Sequence, residues 1–363
     1  MRLLLTLLLL ACGSGALRAQ RHVEFAAAAP EIRYVGRTLV TDEGVSFDWS
    51  GTSFECRFTG RSFAVRATDT KRNYYNLTID GRDAGVVALC GRDTLIVLAS
   101  GLGRGEHTLR MQKRPEAEQG RTTIHAVRLD KGGRLLPPPP APGRHIEFIG
   151  NSLTCGYGTE GLSADEPFKP ETENCDKSFS CIVARYFGAD CNLVSHSGQG
   201  AARNYGDPNS TSPLTMADRM SRTFDMAETP AWDPAQALYR PDLVVIHLGT
   251  NDFSTQPYPS RDEFRAAYLR ILGNLRAAYG EQTPILCVAP RMGNAYAYIR
   301  EICDEAPYPN LGFAAIFTGY CNGGSDLGSS AHPNYAGQRK MAMLLIPYVS
   351  SLTGWEAPVA PIR

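Results

Sequence analysis

Ser152 and His332 are the residues whose types and setting best suit nucleophilic chemistry in this chain. A serine hydroxyl is a poor nucleophile near neutral pH until a base takes its proton. Histidine is the usual base because its pKa lies near the working pH. Ser152 lies in Gly150-Asn151-Ser152-Leu153-Thr154, directly after the apolar run His145-Ile146-Glu147-Phe148-Ile149, where a buried strand would turn sharply into a helix. His332 lies in Ala331-His332-Pro333-Asn334, just ahead of a helix-compatible stretch near the C-terminus. If the two meet in space, they form an acyl-transfer pair. Two further segments offer donors: Ser195-His196-Ser197-Gly198-Gln199-Gly200 and Leu248-Gly249-Thr250-Asn251-Asp252. Glycine lets a backbone N–H approach a ligand closely, and asparagine presents a neutral amide. Gly198, Asn251 and the Ser152 N–H suit an oxyanion hole, in which one donor is worth roughly 3–4 kcal/mol in the transition state.

Two regions of different texture must position these groups. Residues 30–136 alternate apolar and polar positions in short runs broken by Gly, Asp and Asn, as in Phe54-Glu55-Cys56-Arg57-Phe58 and Phe63-Ala64-Val65-Arg66-Ala67. That period predicts an antiparallel β-sandwich. Residues 137–143 include four consecutive prolines, which neither extend a helix nor donate to a sheet, and they mark a stiff connector. Beyond it, over 144–355, continuous apolar runs at 145–149, 191–195, 243–248, 285–289 and 312–317 predict strands. Amphipathic stretches at 178–188, 261–280, 294–305 and 334–352 predict helices between and after them. The fold class is therefore α/β, a three-layer domain with a parallel sheet, preceded by the sandwich. Sites in such sheets form at the C-terminal strand ends, where Ser152 and Asn251 fall.

Lys+Arg equals Asp+Glu, at 37 each, so the chain has no charge footprint for nucleic acid. A neutral polymer or small ester suits this balance. Residues 1–19 read as a signal peptide, with Arg2 ahead of an apolar run from Leu3 to Ala11 that is too short for the roughly 20 residues a membrane span needs. Cys12 after Leu9-Leu10-Ala11 resembles a lipobox cysteine, which predicts a lipid anchor as the only membrane attachment; the alternative is ordinary cleavage a few residues later, after Ala16 or Ala19, and both readings predict export. Nine cysteines follow it, none with zinc spacing, so no metal is expected. Cys155 and Cys175 flank the site and are the pair to test for a disulfide.

Gly150-Asn151-Ser152, Gly198, Gly249-Thr250-Asn251-Asp252 and His332-Pro333 match in order the four blocks of the SGNH (GDSL-like) hydrolases. Tyr34-Val35-Gly36-Arg37, Trp49-Ser50-Gly51 and Arg203-Asn204-Tyr205-Gly206 bring the resemblance closer to carbohydrate esterase family 2, the acetyl xylan esterases with an N-terminal, jelly-roll-like sandwich. The resemblance implies Ser152 as nucleophile, His332 as base, and Gly198 and Asn251 as oxyanion donors. It also implies a cofactor-free reaction on acetylated xylan or related polysaccharides and oligosaccharides. The alternatives are another esterase, lipase or thioesterase of the superfamily, or a carbohydrate-binding protein that has lost catalysis. The superfamily commonly places Asp three residues before the histidine, where this chain has Ser329. Asp326, a Ser329 or Ser330 hydroxyl, or a backbone carbonyl can orient His332 instead, and the carbonyl is preferred.

Other residues have simpler readings. His247, inside an apolar run, and His196 are expected to be structural, as is Asp252, because an unpaired carboxylate beside an oxyanion site would oppose the reaction. Tyr205 is the best candidate to stack on a sugar ring, ahead of Trp232, Tyr296 and Tyr298. Trp49 is expected in the sandwich core.

Overall fold

The computed structural model describes residues 22–316 and 319–358. The signal region and the Cys12 lipid site lie outside the described residues. Ten antiparallel strands come first: β1 (Val23–Ala26), β2 (Ile32–Val35), β3 (Leu39–Thr41), β4 (Gly44–Phe47), β5 (Ser53–Thr59), β6 (Phe63–Ile79), β7 (Arg82–Ala99), β8 (Glu106–Lys113), β9 (Thr122–Leu129) and β10 (Arg134–Leu136). They form one sheet that curls on itself around Phe47, Phe54, Phe58, Phe63, Tyr75 and Leu109. The long β6 makes this possible. Its first half pairs with β9 and its second with β8, and irregular register between them lets it pass from one layer to the other. The sandwich begins earlier than residue 30, because β1 pairs with β9.

The second unit has five parallel strands, β11 (His145–Gly150), β12 (Asp190–Ser195), β13 (Leu243–His247), β14 (Ile285–Pro290) and β15 (Leu311–Ile316), in the order β12-β11-β13-β14-β15. The chain leaves β11 for one side and returns on the other at β13, which opens a crevice at the C-terminal ends of these strands. The helices are α1 (Ser152–Cys155), α2 (Phe179–Tyr186), α3 (Met216–Arg219), α4 (Arg261–Tyr279), α5 (Ala295–Glu305) and α6 (Tyr335–Thr353). One core layer lies under α4 and α5, and the other under α2 and α6. α4 begins at a capping box between Ser260 and Glu263 and buries Phe264, Tyr268, Ile271, Leu272 and Leu275, a stripe at helical spacing. The Asn334 side chain accepts the N–H groups of Ala336 and Gly337 and so fixes where α6 starts, three residues after His332.

The two units share an interface built from the sandwich motifs. Trp49 does not belong to the sandwich core. It is fully buried among Ile149, Val194 and Met216 of the second unit, and its Nε1–H donates to the Thr223 carbonyl at 3.0 Å. Arg37, also buried, donates to the carbonyls of Met220 and Arg222, lies 3.5 Å from Glu147 and covers the face of Trp232. Burying an aromatic and a guanidinium this way is favourable only while their partners stay in place. Trp49→Ala is therefore expected to cost about 3–5 kcal/mol and to lower the urea midpoint of the whole protein. An unchanged midpoint would show that the two units are not held together through Trp49.

Candidate active site

Ser152 follows β11 as the first residue of α1, and the Asn151 side chain accepts the Leu153 N–H to cap that turn. Asn151 thus serves turn geometry. Gly150 leaves no room for a side chain, since a Cβ there would collide with Thr154. Gly158, at φ +69°, lets the segment that carries Ser152 lie against the backbone of Ser329, in the loop that carries the histidine. The result is a direct contact: Ser152 Oγ lies 3.0 Å from His332 Nε2.

The other ring nitrogen, Nδ1, lies 2.9 Å from the carbonyl of Ser330. A carbonyl can only accept, so Nδ1 carries the proton and Nε2 presents its lone pair to the serine hydroxyl. Ser330 and Ala331 both adopt left-handed conformations, at φ +54° and +56°. Such residues cost about 1–2 kcal/mol each, and here they turn the carbonyl back onto the imidazole. Ser330 N–H donates to Glu166 O and Ala331 N–H to Ala164 O, which hold the turn. The Tyr157 ring, stacked on Phe168, packs against His332.

Asp326 does not orient His332. Its carboxylate pairs with Lys340 and accepts the Asn322 N–H and the Ser325 hydroxyl, which together hold it below the usual carboxylate range. Ser329 Oγ is engaged with Thr172, so neither serine hydroxyl supplies the acceptor to the imidazole.

Gly198 and Asn251 face the same cavity as Ser152 and His332, about 770 Å³ in volume. Asn251 donates one amide N–H to Gln199 O at 2.7 Å, which sets the plane of the amide and leaves its second N–H for a ligand. Asp252 is the brace. Its buried carboxylate accepts the N–H groups of Ala201, Ala202 and Arg203, and so locks the glycine segment to the asparagine segment. Burial drives its pKa up, the three N–H groups oppose this, and the net position is above the usual range. Arg203, fully buried, donates to Asn209 O and Thr255, and the Tyr205 N–H bonds Gly198 O. That scaffold presents Tyr205 to the cavity with 63% of its surface exposed.

Two segments of the chain match family models: residues 34–139 the N-terminal domain of carbohydrate esterase 2, and residues 148–340 the GDSL-like lipase/acylhydrolase family. The cellulase/esterase CelE of Acetivibrio thermocellus is 32% identical over 90% of this chain, which spans 40% of that protein's length. An acetylxylan esterase/glucomannan deacetylase of Cellvibrio japonicus is 26% identical over 91% of both chains. The structure of a family two carbohydrate esterase from Clostridium thermocellum in complex with cellohexaose superposes with a TM-score of 0.82 at 31% identity, over 90% of this chain and all of that one. The chain belongs to carbohydrate esterase family 2. It is an ester hydrolase of the GDSL-like class.

Within this esterase, His196 is structural, whereas His247 reaches the cavity wall. Burial alone would lower His196, but Asp225 Oδ2 at 2.5 Å and Glu118 Oε1 at 3.3 Å overcome it and raise its pKa to about 10. His247 is buried edge-on to Phe179, and burial lowers it to about 4. Trp232, Tyr296 and Tyr298 pack against Arg37, Phe313 and Phe253, away from the cavity wall. Cys155 and Cys175 are free thiols, donating to Ser195 Oγ and Lys113 O respectively, and no disulfide forms among the described cysteines.

The sequence reading missed the sandwich's share of the site. Glu116, Glu118 and Gln119, in the turn between β8 and β9, line the cavity. Glu116 is buried and accepts the Ser197 N–H at 2.7 Å, one residue before Gly198. Lys113 donates to the carbonyls of Pro115 and Glu116 and fixes that turn. The only signal was an acidic turn between Pro115 and Gly120, which resembles any solvated connection.

Burial lowers the pKa of His332, and the Ser330 carbonyl only partly offsets this. A histidine base acts when neutral, so the expectation that His332 is the base predicts a loss of activity as pH falls through that value. The acid limb of kcat/KM for 4-nitrophenyl acetate is expected to have its midpoint below 6.5, the ordinary histidine value. A midpoint above 6.5 would contradict a base desolvated in this way.

Proposed function

We propose that the protein removes O-acetyl groups from acetylated xylan or related plant polysaccharides through a serine acyl-enzyme. The observation that carries this reading is the continuous chain from Ser152 Oγ to His332 Nε2 and from His332 Nδ1 to Ser330 O, opening on one cavity with Gly198 and Asn251. His332 takes the serine proton as Oγ attacks the acetyl carbonyl. The charge that develops on the carbonyl oxygen falls to the N–H groups of Ser152 and Gly198 and the Asn251 amide. His332 then returns the proton to the departing sugar hydroxyl, and water, activated by the same nitrogen, frees acetate. Exposed Tyr205 offers an aromatic face for a pyranose ring at the mouth of the cavity. The named activities of the relatives and the oligosaccharide bound by the structural neighbour support a carbohydrate ester as substrate.

Acetate release from 4-nitrophenyl acetate and acetylated xylan tests the reading. Ser152→Ala and His332→Ala are each expected to lower kcat by about 10³-fold or more, and Asn251→Ala by about 10²–10³-fold. Wild-type rates no higher than those of Ser152→Ala would sink the enzyme reading and favour a binding protein that has lost catalysis.

A further inference from the structure

The sandwich does more than hold the hydrolase unit, because one of its carboxylates faces the cavity without being consumed by the fold. Glu118 lies in the turn between β8 and β9, on the wall of the cavity that holds Ser152 and Tyr205. Its side chain is 52% exposed, whereas neighbouring Glu116 is buried and occupied with the Ser197 N–H. Glu118 is nonetheless held from behind. Its Oε1 lies 3.3 Å from His196 Nε2, and the other face of that imidazole is fixed by Asp225, itself paired with Arg219. The turn is also tied down by Lys71, whose ammonium donates to the Glu118 carbonyl. A carboxylate accepts through two oxygens with several lone pairs, so one bond to His196 leaves acceptor capacity facing the cavity.

We infer that Glu118 is a specificity-determining residue that accepts hydrogen bonds from free hydroxyl groups of the substrate's sugar. This rests on the carbohydrate-ester reading and extends it to the sandwich. A pyranose has apolar C–H faces and a hydroxyl rim. Tyr205 on the cavity wall suits the first, and an ionised, braced carboxylate suits the second. The brace matters because a side chain already ordered by His196 loses little freedom on binding. The ion pair with His196 also keeps Glu118 charged, holding it below the usual carboxylate range. The preferred substrate is therefore a neutral sugar ester with an unesterified hydroxyl near the acetyl group. A uronate carboxylate at that position is repelled.

The test compares kcat/KM for a partly acetylated neutral xylo-oligosaccharide with that for 4-nitrophenyl acetate, which has no hydroxyl to offer. Glu118→Ala is expected to lose about tenfold or more on the saccharide relative to the aryl ester, mainly through KM. Glu118→Gln, which keeps an acceptor oxygen, is expected to recover part of that loss. Equal losses on both substrates, or none on either, would overturn the role of Glu118 while leaving the esterase reading intact. A wild type that cleaves the aryl ester and no acetylated saccharide would overturn the carbohydrate reading, and the role of Glu118 with it.

Discussion

The hydrogen bond from His332 Nδ1 to the Ser330 carbonyl is the constraint on which the site depends. It fixes the tautomer, so Nε2 faces Ser152 with a lone pair. In the proposed mechanism it also supplies the acceptor that steadies the imidazolium when the serine proton arrives. A carboxylate would do this with a full charge, whereas a carbonyl does it with a dipole. The cost sits in the backbone, where two consecutive non-glycine residues are left-handed. That conformation persists because Glu166 O, Ala164 O and the packed backbone of Gly158 over-determine it.

The remaining site groups are set by buried carboxylates. Asp252 binds the loop that follows β12 to the one that follows β13 through three backbone N–H groups. Glu116 crosses from the other unit to hold Ser197, and its own N–H donates to Glu173. Each of these carboxylates is buried and hydrogen-bonded, the arrangement in which such a group rigidifies its surroundings rather than destabilising them. The proposed oxyanion donors are thus placed by both units, so under that proposal the seam at Trp49 and Arg37 bears on catalysis as well as stability.

Much of this was legible in the sequence because the physics left periodic or punctual marks. The parallel strands are apolar on both faces, so runs such as Leu243–His247 stood out, and α4 carried its capping box and apolar stripe. Ser152, Gly198, Asn251 and His332 each follow a strand or precede a helix start, and the structure brings all four to one cavity. What stayed hidden lacks such marks. A backbone carbonyl has no residue type, so the preference for a carbonyl over Asp326 could be reached from the sequence, but not that the carbonyl is that of Ser330. Trp49 shows that it must be buried but not against which unit. Glu116 and Glu118 form a charged turn whose partners, Ser197 and His196, lie some eighty residues away in sequence (|i−j| = 81 for Glu116 and Ser197). β1 was missed because four residues are too few to reveal alternation.

The central claim is that His332 works without a carboxylate partner. kcat/KM of Asp326→Asn measures it most directly, since the amide keeps the shape of the side chain and removes its charge. Orientation by the Ser330 carbonyl predicts activity within about fivefold of wild type, whereas the same substitution in a Ser-His-Asp triad costs about 10⁴-fold. A loss approaching the larger figure, in a protein that remains folded, would contradict the account.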